Sequence, residues 1–308
     1  MDSTPKIVFL VLPKVHILDL GGPIQVFQEA IEYGFDASLE FCAVGSSTTT
    51  SAGLPFGDLM HFSKVKLRPG DYLLVAGAEI GYLLSKELTG NRELKKWVVN
   101  AWESGAIVGS ICTGSFFLAA AGLLNGRKCT THWKRADQLL QRYPLIHLKK
   151  DVLFTEDERI ITSAGVSSGI DMALHIVASR AGEHIAYKAA RELVVYLRRN
   201  GNESQESVFT QYRNHINSGI HKVQDYVQEH LDKGTALTQL SDVACMSTRN
   251  LTRTFKRETG ITINEYLGMV RKERLRELIR NTDYTRKQMA HFCGLSSERQ
   301  VIRLIKQL

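Results

Sequence analysis

The sequence predicts two domains of different class, a doubly wound, flavodoxin-like α/β sheet followed by an all-α domain with two helix-turn-helix motifs. Three observations predict this. Short, continuously apolar strands alternate with helices over the first two thirds of the 308 residues, the pattern of βαβ units with right-handed crossovers. A helix-turn-helix pattern occurs twice near the end, its repeated arginines Arg253 and Arg303 fifty positions apart. The charge also divides. Residues 1–211 hold 22 Lys plus Arg and 22 Asp plus Glu, residues 212–308 hold 17 and 10, so the whole net charge of +7 lies in the second part. That is the footprint of a module that binds a polyanion, joined to a neutral one.

Taken in order, Lys6 to Leu12 (KIVFLVL) has the β-branched apolar character of a strand buried on both faces. Asp19-Leu-Gly-Gly-Pro23 opens a helix to about Tyr33, with Pro23 near its first turn. Leu39 to Val44 and Tyr72 to Ala76 read as buried strands, Glu93 to Glu103 as a helix, Ala106 to Ile111 as a strand and Thr113 to Leu124 as a helix. Val152 to Ala164 reads as a hairpin about TEDER, then Ser167 to Ala181 and Ala186 to Leu197 as helices, the first facing its core with Ile170, Leu174 and Val177. Arg198 to Gln211 loses the apolar period and gains Gly, Asn, Ser and Gln, so the expected division is a domain at 1–197, a linker at 198–211 and a domain at 212–308. His215 to Leu231 begins that second domain, with Ile216, Ile220, Val223 and Val227 at helical spacing.

Cys112 falls between a strand and a helix, flanked by Gly109 and Gly114, which can permit a sharp, strained turn. A side chain on such an elbow projects at the sheet's carboxyl edge, where α/β folds keep their ligands, and a helix N-terminus beneath it is expected to lower the thiol pKa. The bland reading is a small buried cysteine; the glycines and the position favour the elbow.

In the second part, Leu240, Val243 and Ala244 fall at helical spacing, Cys245 and Met246 form a turn, and Ser247 stands where an N-cap belongs. In the following helix Leu251 and Phe255 face inward, while Arg249, Arg253 and Lys256 share the outer face with Asn250 and Arg257 beside it. Such a helix suits a major groove, because Arg pairs bidentately with guanine and Asn with adenine. Gln288 to Lys306 replays the unit: Met289 and Phe292, a turn at Gly294 and Leu295, a cap at Ser296 or Ser297, Arg299, Arg303 and Lys306 outside, Val301 and Ile305 inside. Between the two lies a helix-like segment, Asn264 to Arg280. If that rod is rigid, it would set two recognition helices in successive groove faces roughly 34 Å apart. Arg249, Asn250, Thr252 and Arg253 are the expected base readers in one groove and Glu298, Arg299 and Arg303 in the next, with Lys256, Arg257 and Lys306 on phosphates.

The runs S-x-R-N-L-x-R-x-F-K at Ser247 to Lys256, G-I-T-I-N-E-Y-L, and G-L-S-S…V-x-R-x-I-K resemble the AraC-type DNA-binding domain. The likeness departs at Leu295 and Ile305, where that family usually has Phe, and the sequence ends at Leu308, before the family's closing G-x-x-P and final helix. DLGGP at Asp19 to Pro23, SICTGSFFLAAAGLLNGRKCTTHW at Ser110 to Trp133, TSAGVSSGIDMALHIV at Thr162 to Val177 and LVVYLRRNGNESQ at Leu193 to Gln205 resemble the PfpI/ThiJ branch of the class I glutamine amidotransferase-like superfamily. That resemblance implies Cys112 as the reactive residue, Asp19 over it, an oxyanion hole from the amides of Gly77, Ala78 and Thr113, and His132 near the thiol. It also covers isonitrile-hydrating enzymes at Asp19, Cys112 and Thr113. Asp19 remains open as a base or a helix cap, and His132 as a base or, the favoured reading, a hydrogen-bonded structural histidine before Trp133.

No stretch of eighteen apolar residues and no basic-then-apolar leader occurs, so a soluble, unexported, cytoplasmic protein is expected. Five scattered cysteines without a CxxC pair favour a reducing compartment and argue against zinc or disulfides. The expectation is a bacterial sequence-specific transcription regulator, an activator working through RNA polymerase, that binds a double-stranded DNA operator and senses a small-molecule effector near Cys112 with no cofactor, metal or membrane. The resemblance further implies a homodimer. The competing class is a thiol-dependent hydrolase or hydratase of the isonitrile hydratase type with an appended nucleic-acid-binding domain.

Overall fold

The computed structural model describes residues 4–195, 198–233, 235–280 and 283–306. Its contacts divide the chain into two compact units, Met1–Gln205 and Glu206–Leu308.

The first unit is built on a seven-stranded sheet. In chain order its strands are β1 (Lys6–Leu10), β2 (Ser38–Ala43), β3 (Met60–His61), β4 (Tyr72–Val75), β5 (Ile107–Ile111), β6 (Phe154–Asp157) and β7 (Ile160–Ser163), in the spatial order β6-β7-β5-β4-β1-β2-β3. Every pair is parallel except β6 with β7. Because strand side chains alternate between faces, Ile7, Phe9, Tyr72 and Leu74 enter one core and Val8, Leu10, Leu73 and Val75 the other. Helices α1 (Ile17–Glu32), α4 (Ser167–Ala181) and α5 (Glu183–Glu192) cover the first face with Phe27, Ala30, Leu174, Val177 and Ala186. Helices α2 (Arg92–Glu103) and α3 (Ser115–Ala120) cover the second with Leu94, Val98, Phe116 and Phe117. Burial of both faces is why these strands read as unbroken apolar runs. Strand order reverses between β1 and β4, so the crevice at their carboxyl ends is the place where such sheets bind ligands.

Several expectations are corrected here. The helix expected at Thr113 to Leu124 is a 3₁₀ turn, Cys112–Gly114, and then the short α3. Gly122, at φ 81°, closes α3 while the amides of Gly122 and Leu123 reach back to Ala119 and Leu118, a Schellman ending that stops the helix early. The helix expected at Ala186 to Leu197 is α5, displaced toward the N-terminus, and residues 196–197 lie outside the described residues. The expected linker is not loose chain. Arg199 bonds Asp171 through its amide and guanidinium, the carbonyl of Gly201 accepts from the amides of Leu153 and Phe154, and the Gln205 side chain donates to the carbonyls of Thr131 and Val152. Val208 then enters the core of the second unit. The polar composition read as linker is the supply of side chains for these bonds.

The second unit comprises α6 (Ser218–Glu229), α7 (Leu237–Val243), α8 (Thr248–Thr259), α9 (Ile263–Arg280), α10 (Arg286–Phe292) and α11 (Glu298–Ile305). Asn217 caps α6 by accepting from the amide of Ile220, so Ile216 precedes the helix and is fully exposed instead of taking the expected core position. Two cores form along one helix. Ile263, Tyr266, Leu267 and Val270 of α9 pack with Leu240, Leu251 and Phe255, whereas its Leu275 and Leu278 pack with Met289, Ala290, Val301 and Leu304.

Candidate functional site

Cys112 closes β5 on a backbone at φ 56°, a left-handed conformation that costs a non-glycine residue about 1–2 kcal/mol. The elbow is therefore real, but the strain sits on the cysteine itself. Neither Gly109 nor Gly114 has a positive φ. Their bare α-carbons permit close packing instead, since a Cβ at Gly109 would strike Leu74 and Ile161, and one at Gly114 the carbonyl of Val75. Two further glycines bracket the cysteine. A Cβ on Gly77, at the end of β4, would overlap Asp19 Oδ2 and Cys112 Cβ, and one on Gly165, after β7, would collide with Cys112 Cβ and Sγ.

Asp19 lies in the first turn of α1, almost wholly buried, and makes no cap bond; the N-cap is His16. Its Oδ1 accepts from the amide of Val166 at 2.6 Å and its Oδ2 lies 3.1 Å from His16 Nδ1. One oxygen from Asp19, the imidazole of His16 and the thiol of Cys112 all fall within 4.8 Å of one another. The histidine that joins this group is thus His16. The expected His132 instead caps a 3₁₀ turn by accepting from the amide of Lys134 and stacks on Trp133. Burial pushes its pKa below the ordinary imidazole value, against the pull of Asp19. The favoured structural reading of His132 matches this geometry. His16 was available in the sequence as H-x-x-D, three positions before Asp19 and hence on the same helical face.

The thiol departs from expectation in sign. Burial pushes the Cys112 pKa well above its ordinary value, with the charge and hydrogen bond of Asp19 acting in the same direction and Thr113 acting against them. Only 3% of Cys112 is exposed, and α3 is too short to offset that desolvation. Such burial disfavours the thiolate, the form that acts as nucleophile. The proposed oxyanion hole is also incomplete, because the Ala78 amide donates to Thr113 Oγ1 at 3.0 Å while that hydroxyl donates to the Ala78 carbonyl at 2.8 Å. A small cavity of about 90 Å³ adjoins the site, lined by His132, Trp133, Gly165, Val166, Arg199 and Gln205 among others; Asp19 and Cys112 do not line it. At roughly 30 Å³ per water molecule it holds a few atoms, not a large metabolite.

The second candidate surface is the outer face of α8. Ser247 Oγ accepts from the amide of Asn250, and Gly260 ends the helix at φ 80°. Leu251 and Phe255 are fully buried, as expected, and Thr254 joins them. Arg249, Thr252, Arg253, Lys256 and Arg257 are exposed and Asn250 is half-buried. With Leu237 and Thr262 to Asn264 the five exposed residues line a hollow of about 570 Å³. Arg253 donates to Asn250 Oδ1 at 3.3 Å, and Arg257 pairs with Glu258 at 2.6 Å. On α11, Glu298, Arg299, Arg303 and Lys306 are likewise exposed. Its inner pair is Val301 with Leu304; Ile305, expected inside, is 39% exposed, because the short α11 meets its core through an i, i+3 pair. Among the described residues no helix is long and apolar enough to cross a membrane.

A mostly parallel sheet with a strained cysteine elbow at its carboxyl edge, joined to paired helix-turn-helix motifs, defines the class. The chain belongs to the DJ-1/PfpI family, whose model matches residues 5–179, and residues 240–308 match a helix-turn-helix domain. It is 30% identical over 233 residues to the HTH-type transcriptional regulator CdhR of Pseudomonas aeruginosa, covering 75% of this chain and 67% of that one. It is 32% identical over 178 residues to the isonitrile hydratase of Pseudomonas putida, covering 58% of this chain and 72% of that one. Among solved structures it resembles a ThiJ/PfpI family protein from Pseudomonas syringae, with TM-score 0.55, 25% identity, and 78% and 90% of the two chains covered. The chain spans about half to two thirds of the length of several curated regulators that it matches.

Proposed function

We propose that the chain is a sequence-specific DNA-binding transcription regulator, with α8 and α11 as its recognition helices and the DJ-1/PfpI unit as its sensing and dimerising part. The observation that carries this reading is the exposed face of α8, where Arg249, Thr252, Arg253, Lys256 and Arg257 stand free of the core on a helix anchored by Leu251 and Phe255. Arg253 and Asn250 hold each other, which orients both toward one base step, and the pair exchanges this bond for base edges on binding. Lys256 and Arg257, near the helix end, take phosphates. On α11, Glu298, Arg299 and Arg303 read the second groove, and Lys306 takes a phosphate. A small effector acts at the Cys112 edge, where ligand binding must favour one of two DNA-binding geometries. As an activator the regulator would contact RNA polymerase.

The test is selection of bound duplex from fragmented genomic DNA at roughly physiological salt, beside an Arg249→Ala plus Arg253→Ala control. Enrichment of one motif with two half-sites a helical turn apart, lost in the control, is the expected outcome. Enrichment that the control retains would overturn the assignment of α8.

One observation favours a second reading. Asp19, Cys112 and Thr113, shared by resemblance with isonitrile-hydrating enzymes, are brought together here. A hydratase would lose turnover on Cys112→Ala, whereas the regulator keeps operator binding.

A further inference from the structure

We infer that His16, Asp19 and Cys112 form a binding site for a thiophilic divalent transition ion of the Zn²⁺ class, with three protein ligands and an open fourth position. The donors come from the end of the loop after β1, the first turn of α1 and the elbow after β5, so no spacing in the sequence announces them. Nδ1 of His16, a carboxylate oxygen of Asp19 and Sγ of Cys112 lie within 4.8 Å of one another. Ligand bonds of about 2.0–2.3 Å in a tetrahedral site put neighbouring donor atoms roughly 3.3–3.7 Å apart. The 3.1 Å between His16 Nδ1 and Asp19 Oδ2 is already close to one such edge. The remaining contraction falls on His16, whose side chain is 37% exposed, while Asp19 and Cys112 are buried.

The arrangement is that of a ligand set, not of a proton relay. In a Cys-His-Asp relay the imidazole stands between thiol and carboxylate. Here the carboxylate is shared, since Asp19 interacts with both His16 and Cys112. Three electron-rich groups converge on one another. Asp19 also has its outer support, because the Val166 amide holds Oδ1 at 2.6 Å and leaves Oδ2 for the ion. Gly77 and Gly165 let the chain approach Asp19 and Cys112 closely, because a Cβ at either would overlap the ligand side chains themselves. Binding forms a metal–sulfur bond and breaks the S–H bond of Cys112, with the proton passing to buffer; the imidazole binds as its Nε2–H tautomer, so no oxidant or reductant is involved. The half-exposed side of His16 leaves the fourth position to water or to a small anionic effector. This site stands whether or not the chain reads DNA.

The experiment is Co²⁺ titration of the full chain in a Cys245→Ser background, which removes the exposed cysteine. The sulfur-to-cobalt charge-transfer band in the near ultraviolet is followed, with displacement by Zn²⁺. One equivalent should give the band, and calorimetry in two buffers should show about one proton released per ion. Cys112→Ser should abolish the band. His16→Ala, at a half-exposed position that leaves the fold intact by circular dichroism, should weaken the ion at least about tenfold. No band in the parent, or a band unchanged in both variants, would overturn the site.

Discussion

The two helix-turn-helix motifs use the same turn and anchor it differently. In each, a residue in the left-handed conformation follows the first helix, Cys245 at φ 52° and Gly294 at φ 59°. In each, the next amide reaches back five residues, Met246 to Ser241 and Leu295 to Ala290. Beyond the turn they diverge. The first motif has a large core around Phe255 and Tyr266, a side-chain cap at Ser247 and a left-handed Gly260 closing α8. In the second, α11 is shorter, its N-cap Ser297 makes no side-chain bond, and Gln300 reaches back to Ser296. Its turn glycine also meets the chain closely, because a Cβ at Gly294 would strike the carbonyl of Leu231. The lesson is that two copies of one pattern can both present arginines on an outer face while resting on unequal foundations.

The largest test of that inequality is core truncation. Phe255→Ala should destabilise the second unit by about 3–5 kcal/mol and Val301→Ala by about 2 kcal/mol, read from the denaturant midpoint. Equal losses would remove the claimed difference in core. Next in size is the turn. Gly294→Ala should cost more than about 1 kcal/mol, from the positive φ and the clash with Leu231, while Cys245→Ala keeps an already strained L-residue in place and should change little. A neutral Gly294→Ala would mean that the turn relaxes freely. The smallest difference lies at the caps: Ser247→Ala should cost about 1 kcal/mol and Ser297→Ala close to none, and thermal unfolding of the pair would show it.

Much of this was legible in the sequence because it follows from periodicity. Buried parallel strands, the hairpin at 154–163 and the inward pair Leu251 and Phe255 are consequences of which residues must avoid water. What escaped was set by tertiary neighbours. Ile216 has the right spacing for a core residue, but the Asn217 cap starts the helix one position beyond it. The four-residue step from Val301 predicts Ile305 inside, yet Leu304 fills the core. At the cysteine, the elbow could be read from strand-then-helix order, but the direction of the thiol's pKa shift could not. That depends on how deeply Cys112 is buried and on Asp19 lying beside it, both products of long-range packing. His16 is hidden in the sequence for the same reason, because its nearness to Asp19 gains meaning only once Cys112 is brought across the sheet.

One consequence of α9 concerns phase. Because a single helix supplies residues 263–270 to one core and 275–278 to the other, it acts as a ruler whose unit is the residue. Each residue turns a helix by about 100° and advances it by about 1.5 Å. One residue inserted between Val270 and Leu275 would swing α11 a quarter turn around the rod and aim its arginines away from the face that α8 uses. Seven residues would return it to within about 20° and carry it roughly 10 Å along the axis, some three base pairs of duplex. On the proposed DNA-binding reading, the length of this helix, more than any side chain on the two outer faces, sets the beat between the two halves of the operator.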